Sequence, residues 1–170
     1  MEGERRRKIM VALEYNEESI HSLEWVMTYL IIPASLDSVV SDHLVILFIT
    51  PKAPWTATII GKVGNSLVTS LQQPLMSDGP EQKQIQMARG VVERVRNMCE
   101  KNNISYEMKA MAGEAKAEIC KAANALGVDL LAVGDHEYGG GKRLFSTGCV
   151  ADYCLQYAKC PVMVVKRRHY

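Results

Sequence analysis

Four short runs in this chain are almost continuously apolar: KIMVAL at Lys8–Leu13, HLVILFIT at His43–Thr50, DLLAV at Asp129–Val133 and PVMVV at Pro161–Val165. A strand with one face in water alternates apolar and polar residues. A strand without that alternation is buried on both faces, which requires layers of structure above and below it. These runs therefore constrain the chain to a sheet covered on both sides.

The segments between the runs supply the cover. After the first run, Asn16 is placed to cap a helix with Glu17 and Glu18 at its positive end, and Ile20, Leu23, Met27 and Leu30 repeat at helical spacing until Pro33. Residues 33–42 read as turn-like. Residues 51–79 hold three prolines and three glycines without a sustained period, and are expected to be a long excursion with a short helical piece. A helix is expected over Glu81–Asn102, with Met87, Val91, Val95 and Met98 on one face. Ser105–Met111 alternates, as an edge strand with one wetter face does. Ala115, Ile119, Ala122 and Leu126 mark another helix, with Gly127 as its left-handed cap. A last helix carries Val150, Cys154 and Tyr157. Strands alternating with helices imply right-handed crossovers and a five-stranded, doubly wound parallel α/β sheet in a single domain, residues 1–170.

Charge and composition remove several functions. Twenty basic residues against nineteen acidic ones give a net charge of +1, without the excess that nucleic-acid binding requires. The runs Arg5–Lys8 and Lys166–Arg168 read as solvated flanks. No apolar run approaches a membrane span or a signal-peptide core, so a cytoplasmic protein with no membrane partner is expected, the nucleus remaining open. Five cysteines without a CxxC pair argue against a disulfide framework or a zinc site. Cys154 and Cys160 read as packing residues, Trp25 as core and Trp55 as loop packing.

Ligands in such sheets bind beyond the carboxyl ends of the strands, where the strand order reverses. The connection after Val133 reads Gly134-Asp-His-Glu-Tyr-Gly-Gly-Gly-Lys-Arg-Leu-Phe-Ser-Thr-Gly148-Cys149. Glycines allow close approach of a backbone to phosphate, and the free amides of residues 148–150 at a helix N-terminus favour an anion. The loop is neither GxGxxG nor a Walker sequence. His136 is a hydrogen-bond donor for a phosphate or sugar, or else a solvated loop residue. Cys149 is either a thiol activated by the helix N-terminus or the occupant of a small-residue position. No nucleophile with its base, carboxylate pair or metal-ligand set converges by spacing, and no enzyme activity is predicted.

The ending VDLLAVGDHEYGGGKRLFSTGCVADYCLQYAKCPVMVVKRR and the opening KIMVALEYNEES resemble the universal stress protein family, particularly its plant members. The resemblance implies strand order 3-2-1-4-5 and an adenine nucleotide alpha hydrolase-like fold. It further implies a stress-response regulatory protein that holds ATP or AMP, with a divalent metal only through the nucleotide. It places adenosine at Ala12, Leu13, Glu14 and Ile49 and the phosphates at Gly134, Gly148, Cys149 and Val150, with His136, Gly139, Lys142 and Arg143 within the same loop. It also implies a homodimer paired through Pro161–Val165.

This chain departs from the family pattern in four places: Glu14 stands for Asp, Glu137 for the second glycine of G-x-x-G, Cys149 for Ser/Thr, and ten residues rather than nine precede Gly148. A carboxylate about 4 Å from a phosphate charge costs roughly 4 kcal/mol at an effective dielectric of about 20. Lys142 and Arg143 are positioned to offset it. The alternative is a nucleotide-independent dimer that acts by binding a regulatory protein partner.

Overall fold

The computed structural model describes residues 6–14, 19–33, 41–50, 80–135 and 150–166. Five strands, β1 (Lys8–Leu13), β2 (His43–Thr50), β3 (Ser105–Ala112), β4 (Leu130–Gly134) and β5 (Val162–Val165), form one parallel sheet in the order β3-β2-β1-β4-β5. Helices α1 (Ile20–Tyr29), α2 (Pro80–Lys101), α3 (Ala115–Leu126) and α4 (Val150–Tyr157) connect them. The expected class and strand order are therefore observed. The expected excursion over 51–79, Trp55 included, lies outside the described residues.

Side chains leave a strand alternately on its two faces, so a central strand feeds two cores. Ile9, Val11 and Leu13 of β1 join Leu44, Ile46 and Phe48 of β2 under α1 and α2. Met10 of β1 joins Val45, Leu47, Ile49, Leu131 and Val133 under α3 and α4. This two-sided burial is the physical reason for the unbroken apolar runs. β3 is an edge, partly buried along its whole length, and its Tyr106, Met108 and Ala110 pack on the α1/α2 side.

The helix ends follow their local chemistry. Gly127 closes α3 at φ 57°, with Val128 N–H donating to the Ala123 carbonyl at 3.3 Å. Asn103 does the same after α2 at φ 52°, where Ile104 N–H donates to the Cys99 carbonyl at 3.0 Å.

Three expectations are corrected. Met87 is 63 % exposed, while the expected Val91 and Val95 are buried, Met98 packs partly against the core, and the buried stripe of α2 also takes in Ile85, Ala88, Val92 and Cys99. The helical period gives the right face, and Met87 falls just outside its buried arc. Trp25 is 36 % exposed and lies against Tyr29, with ring centroids 5.2 Å apart, rather than in the core. Arg7 is exposed, as a solvated flank is, but it is also anchored. Its guanidinium donates two bonds, from Nε to Oδ1 at 2.9 Å and from Nη2 to Oδ2 at 2.7 Å, to the fully buried carboxylate of Asp42. That hydrogen bond raises the Arg7 pKa further above its ordinary value.

Candidate functional site at the carboxyl rim of the sheet

The chain builds β1, β2 and β3 outward in one direction, then returns to place β4 and β5 on the other side of β1. The order reverses between β1 and β4. The helices that follow these two strands leave on opposite faces, α1 on one and α4 on the other. In such sheets the crevice where the helices part is the general location of ligand sites.

Register places the rim residues in rows. Leu13 pairs with Phe48, Gly134 with Val165, and Val11 with Ala132, so Leu13 and Gly134 are level across the β1–β4 seam. One residue further, Ile49, Glu14, Asp135 and Lys166 make the next row. The fold thus brings together Ala12, Leu13, Glu14, Ile49 and Gly134, which the sequence holds up to 122 positions apart (134 − 12).

Their side chains do different things. Leu13 and Ile49 are core residues in opposite clusters, so at these positions the backbone is what faces a ligand. Ala12 is half-buried on the α3/α4 side and Glu14 is exposed at the end of β1. Val150, the first residue of α4, packs partly against the same cluster and puts its N–H among the helix's N-terminal amides. The remaining expected site residues, His136, Gly139, Lys142, Arg143, Gly148 and Cys149, lie outside the described residues, as does Glu137.

Two serines shape the crevice, and neither was singled out in the sequence. Ser19 occupies the cap position of α1, but its hydroxyl makes no capping bond and donates instead to the Glu14 carbonyl at 2.7 Å. The end of β1 is thereby tied to the start of α1. The expected cap, Asn16, lies outside the described residues together with Glu17 and Glu18. Ser22, one of the buried residues of α1, donates to the Ser19 carbonyl at 2.9 Å and faces Gly134. The available signal was helical spacing, since Ser22 falls between the buried Ile20, Leu23 and Val26.

Gly134 has neither a left-handed φ nor a crowded Cβ position. A methyl there would meet Ser22 Oγ at 3.6 Å, an ordinary van der Waals contact. Internal packing does not demand a glycine at this point. Its effect is to leave the end of β4 without a side chain beside the seam, so that backbone is what the crevice presents. At the neighbouring strand end, the buried hydroxyl of Thr50 has no hydrogen-bond partner among the described residues.

No described helix is long and apolar enough to cross a membrane. Among the described residues, no group of three or more histidine, cysteine, aspartate or glutamate residues is arranged to hold a metal ion.

Comparison with known proteins fits this geometry. The model of the universal stress protein family matches residues 5–166. Universal stress protein PHOS32 of Arabidopsis thaliana is 25 % identical over 166 residues, which are 95 % of this chain and 65 % of that protein. A universal stress protein A-like protein of Arabidopsis thaliana is 30 % identical over 92 residues, 53 % of this chain and 52 % of the relative. The chain thus spans between about half and two thirds of the length of these curated relatives. Among solved structures, a universal stress protein family protein from Arabidopsis thaliana with AMP bound aligns with a TM-score of 0.60 at 19 % identity, over 95 % of this chain and 92 % of the other. A universal stress protein in complex with cAMP aligns at 0.56 and 14 % identity, over 94 % and 95 % of the two chains. At these identities the structural likeness establishes the fold, and the match along nearly the whole sequence establishes the family: the chain belongs to the universal stress protein family.

Proposed function

We propose that this protein is a stress-response regulatory module that binds an adenine nucleotide, AMP or ATP, across the carboxyl ends of β1, β2 and β4. The observation that carries the reading is Gly134 level with Leu13 at the seam where strand order reverses. The chain itself has no packing need for a glycine there. Glu14 supplies an exposed carboxylate to accept hydrogen bonds from the nucleoside, and the amides from Val150 backward supply donors for the phosphates. AMP in one fold neighbour and cAMP in another support the choice of ligand class. Any divalent metal enters with the nucleotide.

In this reading the protein works by binding rather than by catalysis, in the cytoplasm, as a homodimer. β5 is an edge strand, and pairing it with the same strand of a second copy covers an apolar hydrogen-bonding edge. One specific feature favours a second reading. Glu137 replaces a glycine of the family loop, and its charge opposes phosphate. The alternative is a dimer that binds its partner protein without nucleotide.

Calorimetric titration of AMP and ATP into the purified chain and into Glu137→Gly separates the two. The nucleotide reading expects binding to the wild type, tightened by removal of the carboxylate. No heat from either protein with either nucleotide supports the nucleotide-independent dimer.

A further inference from the structure

The α3 and α4 helices pack side by side on the face of the sheet away from α1 and α2, and their contact is made partly of sulfur. Cys120 Sγ and Cys154 Sγ are 3.7 Å apart, both buried, in positions 34 residues apart in the chain. A disulfide needs about 2.05 Å between sulfurs, so under about 2 Å of closure separates this thiol contact from a bond. Cys99 is on the opposite side of the sheet, in the α1/α2 core, where burial pushes its thiol up to about 12. Cys160 is half-buried on the α3/α4 side, and burial raises its pKa as well.

We propose that Cys120 and Cys154 form a reversible, redox-responsive disulfide that bolts α4 to α3, and so fixes the helix whose first residue ends the glycine-rich connection. The oxidant is a hydroperoxide. The thiolate of Cys120, the more accessible of the pair, attacks a peroxide oxygen; the O–O bond breaks, and the product is a sulfenic acid plus water. The thiolate of Cys154 then attacks that sulfur, the S–O bond breaks, and hydroxide leaves as a second water. Two thiols and one hydrogen peroxide thus give one disulfide and two waters, and a low-molecular-weight thiol restores the pair.

Buried thiols react slowly, so access has to come from local opening. The helix that opens is α4, which has only eight residues and keeps Leu155 and Tyr157 more than half exposed. Release of its N-terminal end exposes the sulfurs, and the disulfide then opposes that release. The consequence for ligand affinity rests on the nucleotide reading above, in which the N-terminus of α4 meets the phosphates; the bond itself does not.

The test treats the full reduced chain with hydrogen peroxide, maps disulfides in non-reduced peptides, and follows backbone hydrogen exchange in both forms. The expected result is one intramolecular Cys120–Cys154 bond, and exchange in α4 slowed roughly tenfold or more, both reversed by dithiothreitol. Cys154→Ala is expected to abolish the bond and the slowing, while Cys160→Ala leaves both. A bridge through Cys149 or Cys160, oxidation to sulfinic acid without a bridge, or unchanged exchange in α4 overturns the proposal. AMP affinity is measured separately on the two forms. Its absence in both removes the nucleotide reading, while the peptide map still decides the redox pair.

Discussion

At the amino rim of the sheet two carboxylates are tied across strands, whereas at the carboxyl rim the backbone ends are bonded and the strands finish on an exposed carboxylate and a glycine. Asp42, buried, takes two bonds from Arg7 and a third from Ile32 N–H at 2.8 Å. Asp129 accepts from Lys8 N–H at 2.8 Å, and its own N–H donates to the Lys8 carbonyl at the same distance. At the other rim, Glu14 is exposed, Gly134 has no side chain, and the Thr50 hydroxyl has no partner among the described residues. One rim holds the fold together, and the other is where the proposed nucleotide site lies.

Substitutions sharpen or break that contrast. The largest effect belongs to the amino rim. Asp42→Ala strands Ile32 N–H and takes away the carboxylate partner of the half-exposed Arg7, and is expected to cost about 2 kcal/mol in urea unfolding. Asp129→Ala removes the side-chain acceptor of Lys8 N–H and is expected to cost about 1.5 kcal/mol by the same measurement. At the carboxyl rim the expected numbers are small or reversed. Thr50→Val removes a buried hydroxyl and is expected to leave stability unchanged or raise it by up to about 1 kcal/mol. Gly134→Ala, with a methyl at ordinary contact distance from Ser22, is expected to change stability by less than about 0.5 kcal/mol. A loss above about 2 kcal/mol in either carboxyl-rim variant makes that rim structural and erases the contrast.

The same contrast separates what the sequence could tell from what it could not. The central strands were legible because burial on both faces writes itself locally, as a run without polar interruption. The edge strand β3 was legible because Tyr106, Met108 and Ala110 alternate with Glu107 and Lys109, although in the structure every one of its residues is partly buried and no face is distinctly wetter. The stripe of α2 was legible at Val91, Val95 and Met98 and misplaced at Met87, which sits just outside the buried arc, where only packing against the sheet decides. Arg7 with Asp42 was invisible, since a basic run reads alike whether it is solvated or aimed at a carboxylate 35 residues away. The strand order that defines the rim of the proposed site was legible, because alternation of strands and helices sets the topology. The approach of Ser22 to Gly134 brings a helix beside a strand more than a hundred residues later, and nothing local announces it.

The direct test of the carboxyl rim is a calorimetric titration of AMP into the nucleotide-stripped chain, alongside Glu14→Ala, with the melting temperature of each protein recorded. The account predicts one site per chain, and an affinity lowered roughly tenfold or more in Glu14→Ala at an unchanged melting temperature, the loss of a charge-assisted hydrogen bond. Equal affinity in the two proteins, or no binding by the wild type together with a lowered melting temperature in Glu14→Ala, would contradict it.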